Sequence, residues 1–195
     1  MPRQERRQAL VEVAFRQIAE RGFEGLRTRD VANEAGVNIA TLHYYFPTKE
    51  ALIRGVVEHA MQRFRSTLEP HGSSADQVVN HMRAVRRLLG KEPELGAVMA
   101  ELSLRAARDP AIAALLEETN LAWHRMVSGL LRRALRDGHL REDLDVEAGA
   151  ALIVATLSSM TLPVLNRTDR MDDALGELRR WLGAPLPAEP NQSLD

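Results

Sequence analysis

The chain's 195 residues are 45% hydrophobic and 27% charged, an ordinary globular balance with room for a small module joined to a larger one. With no cysteine, disulfides, zinc fingers, iron–sulfur clusters and thiol catalysis are excluded, and no run approaches the roughly 18 apolar residues of a membrane span. The early charged run Arg3 to Arg7 is unlike a secretory signal, so a cytoplasmic location is expected. The net charge of −1 divides unevenly: 11 basic and eight acidic residues through Arg65 give +3, which leaves −4 for the remainder. A basic module on an acidic body fits a nucleic-acid-binding head.

Arg3 to Arg21 reads as a helix, with Leu10, Val13, Ala14, Phe15, Ile18 and Ala19 at three- and four-residue spacing and Gly22 at its end. Phe23 and Leu26 follow as core residues. Thr28 is expected to cap a short helix that turns Val31 and Ala32 inward, and Gly36 to supply the turn that follows. Asn38 then caps a second short helix, with Ile39 and Leu42 inward and Thr41, His43, Tyr44 and Tyr45 outward. Pro47 stops it, because the residue before a proline is pushed out of helical geometry. Two short helices around a glycine turn describe a helix-turn-helix, whose second helix enters the DNA major groove. An ordinary helical hairpin is the alternative, but it would not leave two tyrosines and a histidine exposed together.

Thr48 caps a helix running to about Leu68, striped by Leu52, Val56, Val57, Ala60, Met61 and Phe64. Glu69 to Ser74 is the clearest break. Ala75 to Leu89 is amphipathic and closed by Gly90, and Pro93 opens a segment carrying Leu95, Val98, Met99, Leu102 and Leu104. Asp109-Pro110 starts a long helix that ends at Gly138. Asp145 caps a helix so apolar, through Met160, that it belongs either at the centre of the body or at a subunit interface. Asp172 to Leu182 is the last helix, and the proline-bearing tail 184–195 is expected to be disordered. The sum is an all-α chain of about nine helices without strands: a DNA-binding head over 1–50, a helix over 48–68 bridging to the body, and a body over 51–183.

Ala19, Gly22-Phe23, Thr28, Val31-Ala32, Ala35-Gly36-Val37, Thr41-Leu42, Tyr44, Phe46 and Lys49-Glu50-Leu52 together resemble the TetR family of transcriptional regulators. The resemblance covers about the first 60 residues. It implies an all-helical homodimer with a C-terminal ligand-binding and dimerisation domain. It also implies phosphate contacts from Thr28, Tyr44 and Lys49, with Arg27 and Arg29 beside them, and base reading by Asn38, Thr41, His43 and Tyr45. The family commonly has Tyr where this chain has His43 and often His where it has Tyr45, which marks these positions for operator preference.

The helices that line the family's pocket carry Met61, Phe64, Met82, Met99, Leu102, Trp123, His124, Met126 and Met160 here, which suits a small, mainly apolar ligand, with His124 as the favoured polar group. For the dimer interface the candidates are Gly149, Ala151, Leu152, Ala155, Ser158 and Ser159, completed by Leu175, Leu178, Trp181 and Leu182. The leading expectation is a repressor released from a palindromic operator by that ligand, with double-stranded DNA, the effector and a second copy as partners. A helical protein-interaction module and a transcriptional activator are the alternatives. No cofactor, metal or enzymatic activity is expected: the histidines are scattered, and neither H-E-x-x-H nor a glycine-rich phosphate loop occurs.

Overall fold

A computed structural model describes residues 3–67, 74–166 and 170–183. Among these every regular element is helical: α1 (Arg3–Arg21), a 3-10 turn (Phe23–Gly25), α2 (Thr28–Glu34), α3 (Ile39–Tyr45), α4 (Lys49–Arg65), α5 (Ser74–Lys91), α6 (Pro93–Ala106), α7 (Pro110–Arg136), α8 (Val146–Ser159), the single turn α9 (Pro163–Asn166) and α10 (Arg170–Leu182). The expected tail 184–195 lies outside the described residues.

Several helix ends follow local side-chain chemistry. The side chains of Asn38, Thr48, Asp109 and Asp145 accept hydrogen bonds from the first free backbone N–H groups of α3, α4, α7 and α8. Gly36, at φ 68°, ends α2 with the N–H of Val37 reaching the carbonyl of Ala32 and its own reaching Asn33. Two ends differ from expectation. Arg27, not Thr28, occupies the cap of α2, and no side chain bonds there. Gly90 does not close α5, which continues to Lys91 and hands the N–H of Glu92 to the carbonyl of Leu88 at 2.8 Å.

Two apolar cores share α4. The head core gathers Leu10, Ala14 and Ile18 of α1 with Phe23, Val31, Leu42 and Phe46, and closes on Leu52, Ile53 and Val56 from the first half of α4. It extends into the body through Val98 and Leu102 of α6 and Ile112 and Leu115 of α7, so the sequence division at residue 50 runs through continuous packing. The second half of α4 gives Ala60 to the body core, which α5, α7, α8 and α10 complete, with Met61 and Phe64 packed against its edge. Two apolar positions face water against expectation. Ile39, the first residue of α3, projects past the head core, and Leu104 is 71% exposed on the outer side of α6.

Polar contacts seat the head on α6. The Phe23 N–H donates to Glu101 at 3.0 Å, and Arg105 pairs with Glu24 at 3.0 Å. Arg105 and Lys49 lie over the Phe23 ring at 4.8 and 4.7 Å. Gly22 lets the seam close, since its φ is +70° and a Cβ there would stand 3.1 Å from the Glu101 carboxylate. On the other side, buried Gln17 donates to Glu34 at 3.0 Å and Arg16 pairs with the same carboxylate at 2.6 Å, tying α1 to α2. These bonds hold the Glu34 carboxyl below its usual range, the Gln17 bond contributing most.

Gly36→Ala tests the turn. A Cβ at that position would meet no atom within 4 Å, so only the left-handed backbone opposes it. Urea denaturation should show a loss of about 1 kcal/mol.

Candidate nucleic-acid interface

Helix α3 is held from beneath by Leu42 and Phe46, both fully buried, and stopped at Phe46, whose non-helical backbone precedes Pro47. That anchoring leaves Asn38, Ile39, Ala40, His43 and Tyr44 exposed along one side, with Thr41 partly covered. Tyr44 is 65% exposed, and Arg3 lies over its ring at 5.4 Å. Tyr45, expected outward, instead packs half-buried against the head core and meets Tyr44 edge-on at 5.2 Å. The side-chain oxygen of Asn38 (Oδ1) accepts both the backbone N–H (2.7 Å) and the hydroxyl (2.8 Å) of Thr41, so the outward polar groups of the Asn38 side chain reduce to its NH2.

The expected phosphate contacts border this helix. Thr28 opens α2, partly covered, beside exposed Arg29. Arg27 is exposed and steadied by a 2.6 Å bond to the Glu24 carbonyl. Lys49 starts α4 next to the Thr48 cap, where backbone N–H groups also point outward. Partial burial lowers its pKa, opposed by the nearby Glu24 carboxylate. Arg3 and Ile39 are the members of this surface that helical periodicity did not single out. The sole prior signal for Arg3 was its place in the basic opening run.

A cleft of about 430 Å³ lies between α4 and α7. Of the residues expected around a ligand, Met61, Phe64, Trp123 and Met126 line it, and Arg54, Glu58, Arg65, Glu118 and Thr119 supply its polar groups. The other expected residues lie elsewhere. Leu102 and Met160 are sealed in the cores, Met82 is buried in the body core at the base of a separate depression, and Met99 packs against the body core. His124 turns toward α8, with Nε2 3.2 Å from the Glu147 carbonyl and Nδ1 3.7 Å from its carboxylate. Trp123 and Met126, three residues apart, share the cleft side of α7, whereas His124 lies about 100° further round the helix and faces α8.

Behind the cleft is a buried polar relay that no motif announced. The Trp123 indole N–H donates to His81 Nε2 at 3.0 Å, His81 Nδ1 lies 3.1 Å from the Thr67 hydroxyl, and Thr67 donates to the Phe64 carbonyl at 2.6 Å. With the Thr67 proton given to Phe64, the relay assigns the His81 proton to Nδ1 and leaves Nε2 as acceptor. Burial pushes His81 down to about 4 and keeps the ring neutral. His81 falls among the apolar positions Val78, Met82 and Val85 of α5, which explains its burial.

The body also exposes an apolar face. Ala148, Ala151, Leu152 and Ala155 of α8 are uncovered, so this helix is not buried on all sides within one chain. Leu152, Leu162 and Trp181 are each 43% exposed. Gly149, Leu175, Leu178 and Leu182, expected at an interface, lie instead in the chain's own core. Ser158 and Ser159 are half-covered at the edge, Ser159 donating to the Thr156 carbonyl.

Residues 10–56 match the family model for bacterial regulatory proteins of the tetR family, and residues 68–178 match the model described as tetracyclin repressor-like, C-terminal domain. The chain belongs to the TetR family. It is therefore a DNA-binding transcriptional regulator with a helix-turn-helix head, and not an enzyme. The HTH-type transcriptional repressor KstR2 of Mycobacterium tuberculosis is 25% identical over 146 residues, covering 73% of this chain and 72% of that protein. Among solved structures, a TetR-family regulator from Rhodococcus sp. superimposes with a TM-score of 0.79 at 25% identity, covering 90% of this chain and 95% of that one. The multidrug binding protein EbrR, solved with imidazole, gives 0.67 at 29% identity, covering 97% and 96%.

The His81 relay makes stability pH-dependent. Above about 6.5 the ring is neutral in both the folded and unfolded chain. As pH falls from about 6.5 toward 4 the unfolded chain takes up the proton first, and about 3 kcal/mol is lost, with no further His81 loss below that range. Denaturant titrations across pH 4–7 should show a shallower decline in His81→Gln than in the unsubstituted chain.

Proposed function

We propose that this TetR-family protein is a homodimeric, cytoplasmic repressor that leaves a near-palindromic operator when a small, mainly apolar molecule enters the α4–α7 cleft. The observation that carries the reading is the span of α4, which has Lys49 beside the recognition helix at one end and Met61 and Phe64 in the cleft at the other. A ligand that wedges Phe64 and Met61 away from Trp123 would move the helix on which the head is built. It would release DNA to the extent that it binds the shifted shape more tightly.

On DNA, Tyr44, Thr28 and Lys49 would bind phosphate, with Arg27, Arg29 and Arg3 adding charge. Thr41, His43 and the free NH2 of Asn38 would meet base edges, and exposed Ile39 suits a thymine methyl. Tyr45 would act by bracing Tyr44. A second copy covering Ala151, Leu152, Ala155 and Trp181 would place the two α3 helices in successive major grooves, about 34–36 Å apart. Repression is supported by KstR2 among the relatives, and a ligand cleft by the imidazole complex of EbrR.

Selection of bound sequences from random DNA should yield a near-palindrome. On it, Lys49→Ala should weaken binding to all sequences and reduce the salt slope by about 1, whereas His43→Ala should change base preference at fixed positions in each half-site. An unaltered salt slope in Lys49→Ala would remove Lys49 from the phosphate contacts. Light scattering should report a dimer for the natural chain and monomers for Leu152→Glu, because an unpaired carboxylate would be buried in the apolar contact.

A further inference from the structure

A second depression, of about 270 Å³, lies between α5 and α10, apart from both the recognition surface and the α4–α7 cleft. Arg83, Arg86 and Arg87 rise from one face of α5, at i, i+3 and i+4, and Arg179 faces them from α10. Asp172 is the single carboxylate in the lining and pairs with Arg86 at 3.2 Å. Four guanidinium groups against one carboxylate leave a local charge of +3 in a body whose sequence is net negative.

Among the described residues, Arg83, Arg87 and Arg179 form no ion pair, and Nε of Arg179 is buried without a hydrogen-bond partner. A buried N–H on a permanently charged group is costly to leave unmatched, and its natural complement is an oxyanion. The space is kept open by Gly176, where a Cβ would meet nothing within 4 Å, and its base is formed by buried Met82 and Leu175.

The position is compatible with a dimer. At 3.6 residues per turn, Asp172, Gly176 and Arg179 fall on one flank of the buried stripe Met171, Leu175, Leu178 and Leu182, and Ala174 and Trp181 fall on the other. A second copy on the Trp181 flank leaves the arginine flank open.

We propose that this cleft binds a small organic phosphate with two negative charges, its oxygens held by Arg83, Arg87 and Arg179 and a short apolar body resting on Met82 and Leu175. Isothermal titration of the full-length chain with phenyl phosphate, at about 0.15 M salt, tests it. One saturable site per chain is expected. Binding should weaken about tenfold or more in the Arg83→Gln/Arg179→Gln double variant. It should also be lost in Gly176→Leu, which fills the space and leaves every charge in place, with helical circular dichroism retained in both variants. Absence of a saturable site would overturn the proposal, as would undiminished binding in the double variant. Binding retained in Gly176→Leu would show diffuse attraction at the surface and overturn the cleft. Benzoate binding as tightly as phenyl phosphate would mean that the cleft does not read charge, which also overturns it.

Discussion

The arrangement depends on one constraint: α4 is packed into two cores at once. Leu52, Ile53 and Val56 complete the core beneath the helix-turn-helix, and a turn later Ala60 enters the core of the body, with Met61 and Phe64 at its rim. Each fully buried aliphatic side chain of this kind stabilises by about 1.5–3 kcal/mol, so neither half of the helix leaves its core cheaply. Close-packed interiors do not deform smoothly. A displacement at the cleft end is therefore passed along the rod instead of being absorbed within it.

The relay through His81 sharpens this mechanical picture. Trp123 forms the wall opposite Phe64, the two rings 6.0 Å apart, and its indole is tied through His81 to Thr67, just past the end of α4. Thr67 in turn bonds the backbone carbonyl of Phe64. The cleft wall on α7 and the end of α4 are thus joined by hydrogen bonds in a place where an unpaired polar group would be costly. Keeping His81 neutral is part of the same design, since a charged ring would have no acceptor to offer the indole.

Much of what is decided locally was legible in the sequence, the cap of α2 and the end of α5 apart. Asn38, Thr48, Asp109 and Asp145 cap as their chemistry demands, and Gly36 turns the chain because little else adopts that backbone cheaply. The outward side of α3 was legible in part, since Leu42 and Phe46 fix which side can face outward, but Ile39 and Tyr45 take environments opposite to those expected. Tertiary context was not legible. Periodicity assigned Ile39 and Leu104 to a buried side without knowing that the neighbouring core ends short of them. It could not separate Met61 in a cleft from Met82 and Met160 in a core, because all three satisfy the same spacing. His124 failed for a related reason: its partner is the backbone of Glu147, brought near only by the packing of α7 against α8. The buried stripe of α10 was correct as a stripe, but a single chain already has enough surface to cover Leu175, Leu178 and Leu182.

Lys49 shows how the DNA face and the body meet at a second point. Its ammonium sits over Phe23, the Phe23 backbone is fixed by Glu101 of α6, and Arg105 of the same helix crowds the ring and pairs with Glu24. Partial desolvation weakens the hold of water on this cation, so an anion brought to the start of α4 would compete with less solvent than at a free lysine. The advantage lasts only while Phe23 stays in place. A shift of α6 against the head would carry Glu101 and Arg105 away from the turn, loosen Phe23 and return Lys49 to water. The surroundings of Lys49 are thereby conditioned on the seam between head and body as well as on the packing of α4, and both depend on packing in the body, which the α4–α7 cleft adjoins through Leu115, Met61 and Trp123.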